Sequence, residues 1–176
     1  MMKRILLGLA TGLGLCGFAV ASSVLISAPA DAQGGIVITG ANGQEVLGYR
    51  LDFNGKRRSL DRYRLKIPAQ DVAVNEVAIN FEEKFDGKVN PEQVRLEVEG
   101  EPIELREVSW DPEFKSLEVA ADQPIAAGQE MRLVLSRVRN PRSNGLYRIY
   151  ARVLGTEANP LYRTVGLWIV TIGGSD

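Results

Sequence analysis

From Leu47 to Ile172, apolar side chains recur at every second position in short runs, and a turn signal follows nearly every run. Leu47, Tyr49, Leu51 and Phe53 share one parity, as do Tyr63, Leu65 and Ile67, then Val77, Ile79 and Phe81, then Val94, Leu96 and Val98. The pattern resumes at Ile103 and Leu105, Val108 and Trp110, Leu117 and Val119, Met131, Leu133 and Leu135, and Tyr147, Ile149, Ala151 and Val153, before a closing apolar run from Val165 to Ile172. A period of two belongs to a strand with one covered face, because successive side chains point to opposite sides of a sheet. Asn54-Gly55, Asp86-Gly87, Glu99-Gly100, Asp111-Pro112, Asn140-Pro141 and Asn159-Pro160 separate the runs with residues that accept left-handed backbone or cannot continue a ladder. Nine or ten short strands follow. Helix is expected only near Asn90 to Val94, where Pro91-Glu92-Gln93 reads as a first helical turn. The predicted fold is all-β, an antiparallel immunoglobulin-like β-sandwich, with a closed barrel as the alternative that alternation alone does not exclude.

The N-terminus has a different grammar. Lys3 and Arg4 precede an apolar run from Ile5 to Ile26, and Ala28-Pro29-Ala30-Asp31-Ala32-Gln33 follows. That order predicts a signal peptide over residues 1–32, with Ala30 and Ala32 filling the two small subsites of signal peptidase and cleavage after Ala32. The apolar run is also long enough to remain as an uncleaved membrane anchor. Either reading exports the rest of the chain to a periplasm, a cell envelope or the extracellular space. The predicted organisation is then a signal peptide at 1–32, an N-terminal extension or edge strands at 33–60, and the sandwich domain at 61–172.

Composition excludes several chemistries. Without histidine, no Ser-His-Asp or Cys-His relay can form, and a single cysteine adds no zinc or copper cage, so neither metal nor cofactor is expected. That cysteine, Cys16, leaves with the signal, and a thiol-free exported chain must rely on its core for stability. Loss of Lys3, Arg4 and Asp31 turns 21 basic and 22 acidic residues into 19 and 21. A chain so balanced lacks the cationic excess of a dedicated nucleic-acid binder.

Charge is nonetheless segregated. Arg50, Lys56, Arg57, Arg58, Arg62, Arg64 and Lys66 cluster within residues 49–66, and seven arginines stand against Glu157 within residues 131–163, while acids dominate between Glu76 and Glu118. If the two basic segments share a face, the domain presents a cationic patch. The segment from Arg137 to Gly145 is the best local candidate site. Asn140 precedes proline, which favours extended backbone, and its amide can hold the turn so that Arg139 and Arg142 project from a rigid loop toward an anion. Arg137 belongs to the same set, and Arg148 and Arg152 point away from the parity of Tyr147 and Ile149. Two roles are open to these arginines: tying the corner to acidic neighbours, or contacting a ligand. The partners that fit are an anionic polysaccharide, a lipid headgroup or an envelope protein.

The phrases YRLKIPA, VEGEPIELREVSWDPEFKSLEVAADQPI, AAGQEMRLVLSRVRNPRSNGLYRIYARV and PLYRTVGLWIV carry a resemblance over Tyr63 to Ile172. Their most specific part is Val138-Arg139-Asn140-Pro141-Arg142 followed by Gly145-x-Tyr147. This resembles the cyanobacterial exported family of domain of unknown function 2808. The resemblance implies an exported β domain with no assigned activity, and residues 33–60 fit it poorly. The function expected is a non-catalytic binding or structural module of the envelope. The contrasting expectation is a carboxylate-dependent hydrolase of envelope glycans, which needs two acids converging on one cleft.

Overall fold

The computed structural model describes residues 44–173, so the segment read as a signal peptide, with Ala30 and Ala32, lies outside the described residues. Ten strands make up the described chain: β1 (Tyr49–Leu51), β2 (Leu60–Ile67), β3 (Val74–Phe81), β4 (Val94–Val98), β5 (Glu101–Pro102), β6 (Leu105–Asp111), β7 (Ser116–Ile125), β8 (Met131–Arg139), β9 (Gly145–Gly155) and β10 (Tyr162–Ile172). They form two five-stranded sheets, ordered β1-β2-β8-β4-β5 and β10-β9-β3-β7-β6, and every strand pairing within them is antiparallel. This is the immunoglobulin-like sandwich, and because the ten strands pair as two separate sheets, the barrel alternative does not hold. A single 3-10 turn, Pro91–Gln93, occupies the place where a helical turn was expected, capped by the Asn90 side chain accepting from Glu92 N–H.

Alternation explains the core. Tyr63, Leu65, Ile67, Leu96, Leu133 and Leu135 face inward from the first sheet, and they meet Val77, Ile79, Leu117, Val119, Ile149, Trp168 and Val170 from the second. Each such side chain, fully buried, contributes about 1.5–3 kcal/mol. Trp168 also donates from Nε1 to the Lys66 carbonyl at 3.0 Å, a hydrogen bond that joins the two sheets through the core. Phe53 departs from the expected parity and is 58% exposed. The physical reason is the turn: Asn54 and Gly55 both take left-handed backbone, so the chain leaves β1 after Leu51 and the period of two ends there.

One edge of the sandwich is strapped by its own N-terminal segment. Leu47 N–H donates to Leu167 O at 2.8 Å and Leu167 N–H to Glu45 O at 2.9 Å, a short parallel bridge to β10, after which the chain crosses to pair β1 with β2. Gly166 permits this approach, since a Cβ there would stand 2.5 Å from the Glu45 carbonyl oxygen.

Candidate functional site

The corner between β8 and β9 is assembled by three loops hydrogen-bonded backbone to backbone. Arg139 and Lys88 exchange two bonds of 2.9 and 3.0 Å, Asn140 N–H donates to Ser59 O at 2.8 Å, and Arg58 N–H donates to Pro141 O at 3.0 Å. Gly87 lets the second loop come so close, because a Cβ would meet Arg139 O at 2.6 Å. Beneath the corner lies a buried polar network. Asp61 is 1% exposed and accepts from Phe53 N–H (2.9 Å), Gly55 N–H (2.8 Å) and Arg62 N–H (2.7 Å). Asn140, 2% exposed, accepts from the Tyr63 hydroxyl at 2.7 Å and donates to Lys56 O at 2.9 Å and to Asp61 Oδ2 at 3.4 Å. Burial, and then the charge of Asp61, push the Tyr63 hydroxyl well above its ordinary pKa, so it remains a donor.

Sequence reasoning placed Asn140 among the ligand contacts. In the structure Asn140 lines the floor of the cavity, but its amide is engaged inside the protein, so it positions the loop. Its backbone carries Arg139 and Arg142 outward, and these converge with Arg58 and Lys88 around a cavity of about 370 Å³ that Asp86 also lines. Arg142 N–H donates to Asp86 Oδ1 at 3.0 Å, and its guanidinium stands 3.8 Å from Oδ2. Arg139 Nη1 donates to the Arg58 carbonyl at 3.1 Å. Arg58, Lys88 and Arg139 make no ion pair with an acid among the described residues. Of the four cations only Arg142 reaches the single exposed carboxylate that lines the cavity, and an exposed pair of that kind contributes only about 0–1 kcal/mol to stability. Arg58 was read only as part of the basic segment 49–66 and Lys88 not at all, because both lie far from the corner in the chain. Their presence follows only from the backbone bridges. Behind the corner, the Tyr147 hydroxyl donates to Ser143 O at 2.8 Å while its ring packs edge-on against Phe85.

The two basic segments do not share a single face. β8 lies beside β2, so Arg132 joins Arg50, Arg62, Arg64 and Lys66 on the outer side of the first sheet. β9 belongs to the second sheet, because the chain crosses between layers at residues 140–144, and it takes Arg148 and Arg152 with it. There Arg148 pairs with Glu82 at 3.8 Å. Arg152 stacks 4.8 Å over the Tyr162 ring and donates to Asn80 at 2.7 Å. Arg148 and the terminal nitrogen of Arg152 are thus engaged with neighbours, although Arg152 Nε is buried without a hydrogen-bond partner, and both side chains lie on the second sheet. Arg137 lies on the first sheet, one bulge away from Arg139.

On that first sheet Asp52 gathers three guanidiniums, those of Arg50 at 3.0 Å, Arg64 at 3.1 Å and Arg62 at 3.5 Å. Partial burial works to raise its pKa, but the hydrogen bond and charge of Arg64, helped by Arg50, outweigh it and hold the carboxyl below its ordinary 3.8. A depressed carboxyl pKa contributes stability that is complete above the unfolded value and is lost as pH falls through the folded value. Thermal melts between pH 7 and pH 2.5 should therefore show part of the acid loss below pH 4 disappearing in Asp52→Asn. An acid limb identical to the native one would contradict the assignment.

Among the described residues no group of three or more histidines, cysteines and carboxylates is placed to hold a metal ion, and no helix is long and apolar enough to cross a membrane. Residues 37–172 match the family described as "Protein of unknown function (DUF2808)". The chain belongs to this family. The match begins well before Tyr63 and takes in the edge-strapping segment, which simple inspection of residues 33–60 had set apart. Comparison with curated proteins returns no match. Among solved structures, the bacterial hydrophobin BslA aligns at 14% identity and TM-score 0.48, covering 74% of this chain and 95% of that one. An uncharacterised Nocardia farcinica protein with an immunoglobulin-like fold aligns at 12% identity and TM-score 0.43, over 72% and 96%. The collagen-binding domain of a Staphylococcus aureus adhesin aligns at 7% identity and TM-score 0.40, over 72% and 95%. These similarities concern the fold.

Proposed function

We propose that this protein is an exported, non-catalytic module of the cell envelope that binds acidic polysaccharide at the β8–β9 corner. The observation that carries the reading is the grouping of Arg58, Lys88, Arg139 and Arg142 around one cavity with a single carboxylate. Guanidinium groups match carboxylate and sulfate bidentately and stay charged at every physiological pH. A loop held from beneath by Asn140 and Asp61 presents them with little ordering left to do on binding, which favours affinity. Export rests on the N-terminal signal peptide cut after Ala32, and of the segment before the sandwich at 61–172 the described part, the Val46 bridge and β1, supplies its edge elements.

Polygalacturonate is a suitable probe, titrated into the purified full chain at two salt concentrations. The Arg139→Ser/Arg142→Ser variant should bind at least about 10-fold more weakly, the loss expected from removing charge-assisted hydrogen bonds, with its melting temperature close to native. Unchanged binding with a lowered melting temperature would show the arginines to be structural. Binding to anionic lipid vesicles in place of the polymer would contradict the glycan reading, and shortening of the polymer on incubation would contradict the non-catalytic one.

A further inference from the structure

A bulge in β8 creates a second cationic feature that the corner does not use. Asp61 pairs with Val138 and Tyr63 with Leu135, so Arg62 alone faces Ser136 and Arg137. The extra residue falls on Arg137, whose φ of 57° lies in the left-handed region. Glycine occupies such positions without cost, and an arginine there is strained. The bulge turns Arg137 into a groove of about 630 Å³ that Arg62, Arg95, Phe53 and Leu60 also line. That volume is ordinary for a small-ligand site.

The groove's charges are only partly used. Arg95 and Arg137 form no ion pair among the described residues, and Arg62 Nε is buried without a hydrogen-bond partner although its Nη1 reaches Asp52. Of the two acids lining the groove, Asp61 is spent on the backbone donors of its own turn, which leaves Glu92 against three guanidiniums. Phe53 adds an exposed ring at the rim. We propose that this groove is a subsite for a single carboxylated or sulfated sugar unit, its anion held by Arg62, Arg95 and Arg137 and its apolar ring face laid against Phe53. Aromatic rings offer such a face, and a bare anion has no use for it. Because Arg137 and Arg139 are two residues apart on one strand, the groove and the corner are neighbouring stations for one acidic chain. The inference thus deepens the acidic-polysaccharide reading and rests on it for its polymer, though not for its site.

The test is a titration of the full chain with trigalacturonate, maltotriose and inorganic sulfate, using Arg137→Gly and Phe53→Ala. Arg137→Gly removes the guanidinium and the backbone strain together, so the melting temperature should hold or rise while trigalacturonate affinity falls at least about 10-fold. Phe53→Ala should weaken trigalacturonate several-fold and leave sulfate unchanged. Native trigalacturonate affinity in Arg137→Gly, equal binding of maltotriose, or Arg137-dependent binding of anionic vesicles without sugar would each overturn the proposal. The Arg139→Ser/Arg142→Ser variant separates the two sites: if it binds normally while Arg137→Gly does not, the corner reading fails and the groove stands. The reverse pattern sinks the groove alone.

Discussion

Asp61→Ala should lower the unfolding free energy by about 3–4 kcal/mol, because the change removes a fully buried carboxylate that serves one buried and two part-buried backbone donors. Three backbone N–H groups, those of Phe53, Gly55 and Arg62, converge on this carboxylate, and the Asn140 amide completes its set. Alanine takes the acceptor from the three backbone groups, while the Asn140 amide keeps its bond to Lys56 O. Asp61→Asn should cost less but still about 2 kcal/mol, since in either orientation its NH2 group faces a donor in place of one carboxylate oxygen. Urea unfolding of the three proteins measures this order directly. An alanine variant within about 0.5 kcal/mol of native would mean that the turn satisfies itself by other routes, as ordinary surface substitutions do. The same variant should loosen the arginine corner, because the turn it releases supplies Ser59 and Arg58 to Asn140 and Pro141.

The second large effect is expected at Trp168. It has no exposed surface and it bridges the layers from β10 to the Lys66 carbonyl on β2. Trp168→Ala should destabilise by about 3–5 kcal/mol through lost burial and the cavity left behind. Trp168→Phe keeps most of the apolar volume and forfeits the hydrogen bond, so its cost should fall nearer 1–2 kcal/mol. Thermal or urea melts again give the answer. Equal losses in the two variants would assign the effect to the hydrogen bond and its stranded carbonyl, not to packing.

Much of this architecture can be read from parity. The inward sets on β2, β3, β8 and β9 follow from alternation, and Asn54, Gly55 and Gly100 adopt the left-handed backbone that these residue types accept. Asp61 shares parity with Tyr63 and is directed inward by that rule, yet an acid between a leucine and an arginine reads as surface until its partners are known. Two of those partners lie in the turn before it, one is its own neighbour Arg62, and one, Asn140, is remote in the chain. Sheet membership is equally nonlocal: nothing within β9 reveals that it crosses away from β8, so Arg148 and Arg152 looked like companions of Arg139. The corner was half visible. Asn140-Pro141 announces a shaped turn, but Arg58 and Lys88 arrive through backbone bridges that no local pattern encodes.

The most direct measurement is nuclear magnetic resonance of the 15N-labelled full chain, following backbone amides and arginine side-chain signals as trigalacturonate is added. Saturable shifts should appear at Arg58, Lys88, Arg139 and Arg142, and extend along β8 to Arg137. Shifts confined to Arg148, Arg152 and the outer side of the β10-β9-β3-β7-β6 sheet, or a spectrum that does not change, would contradict it.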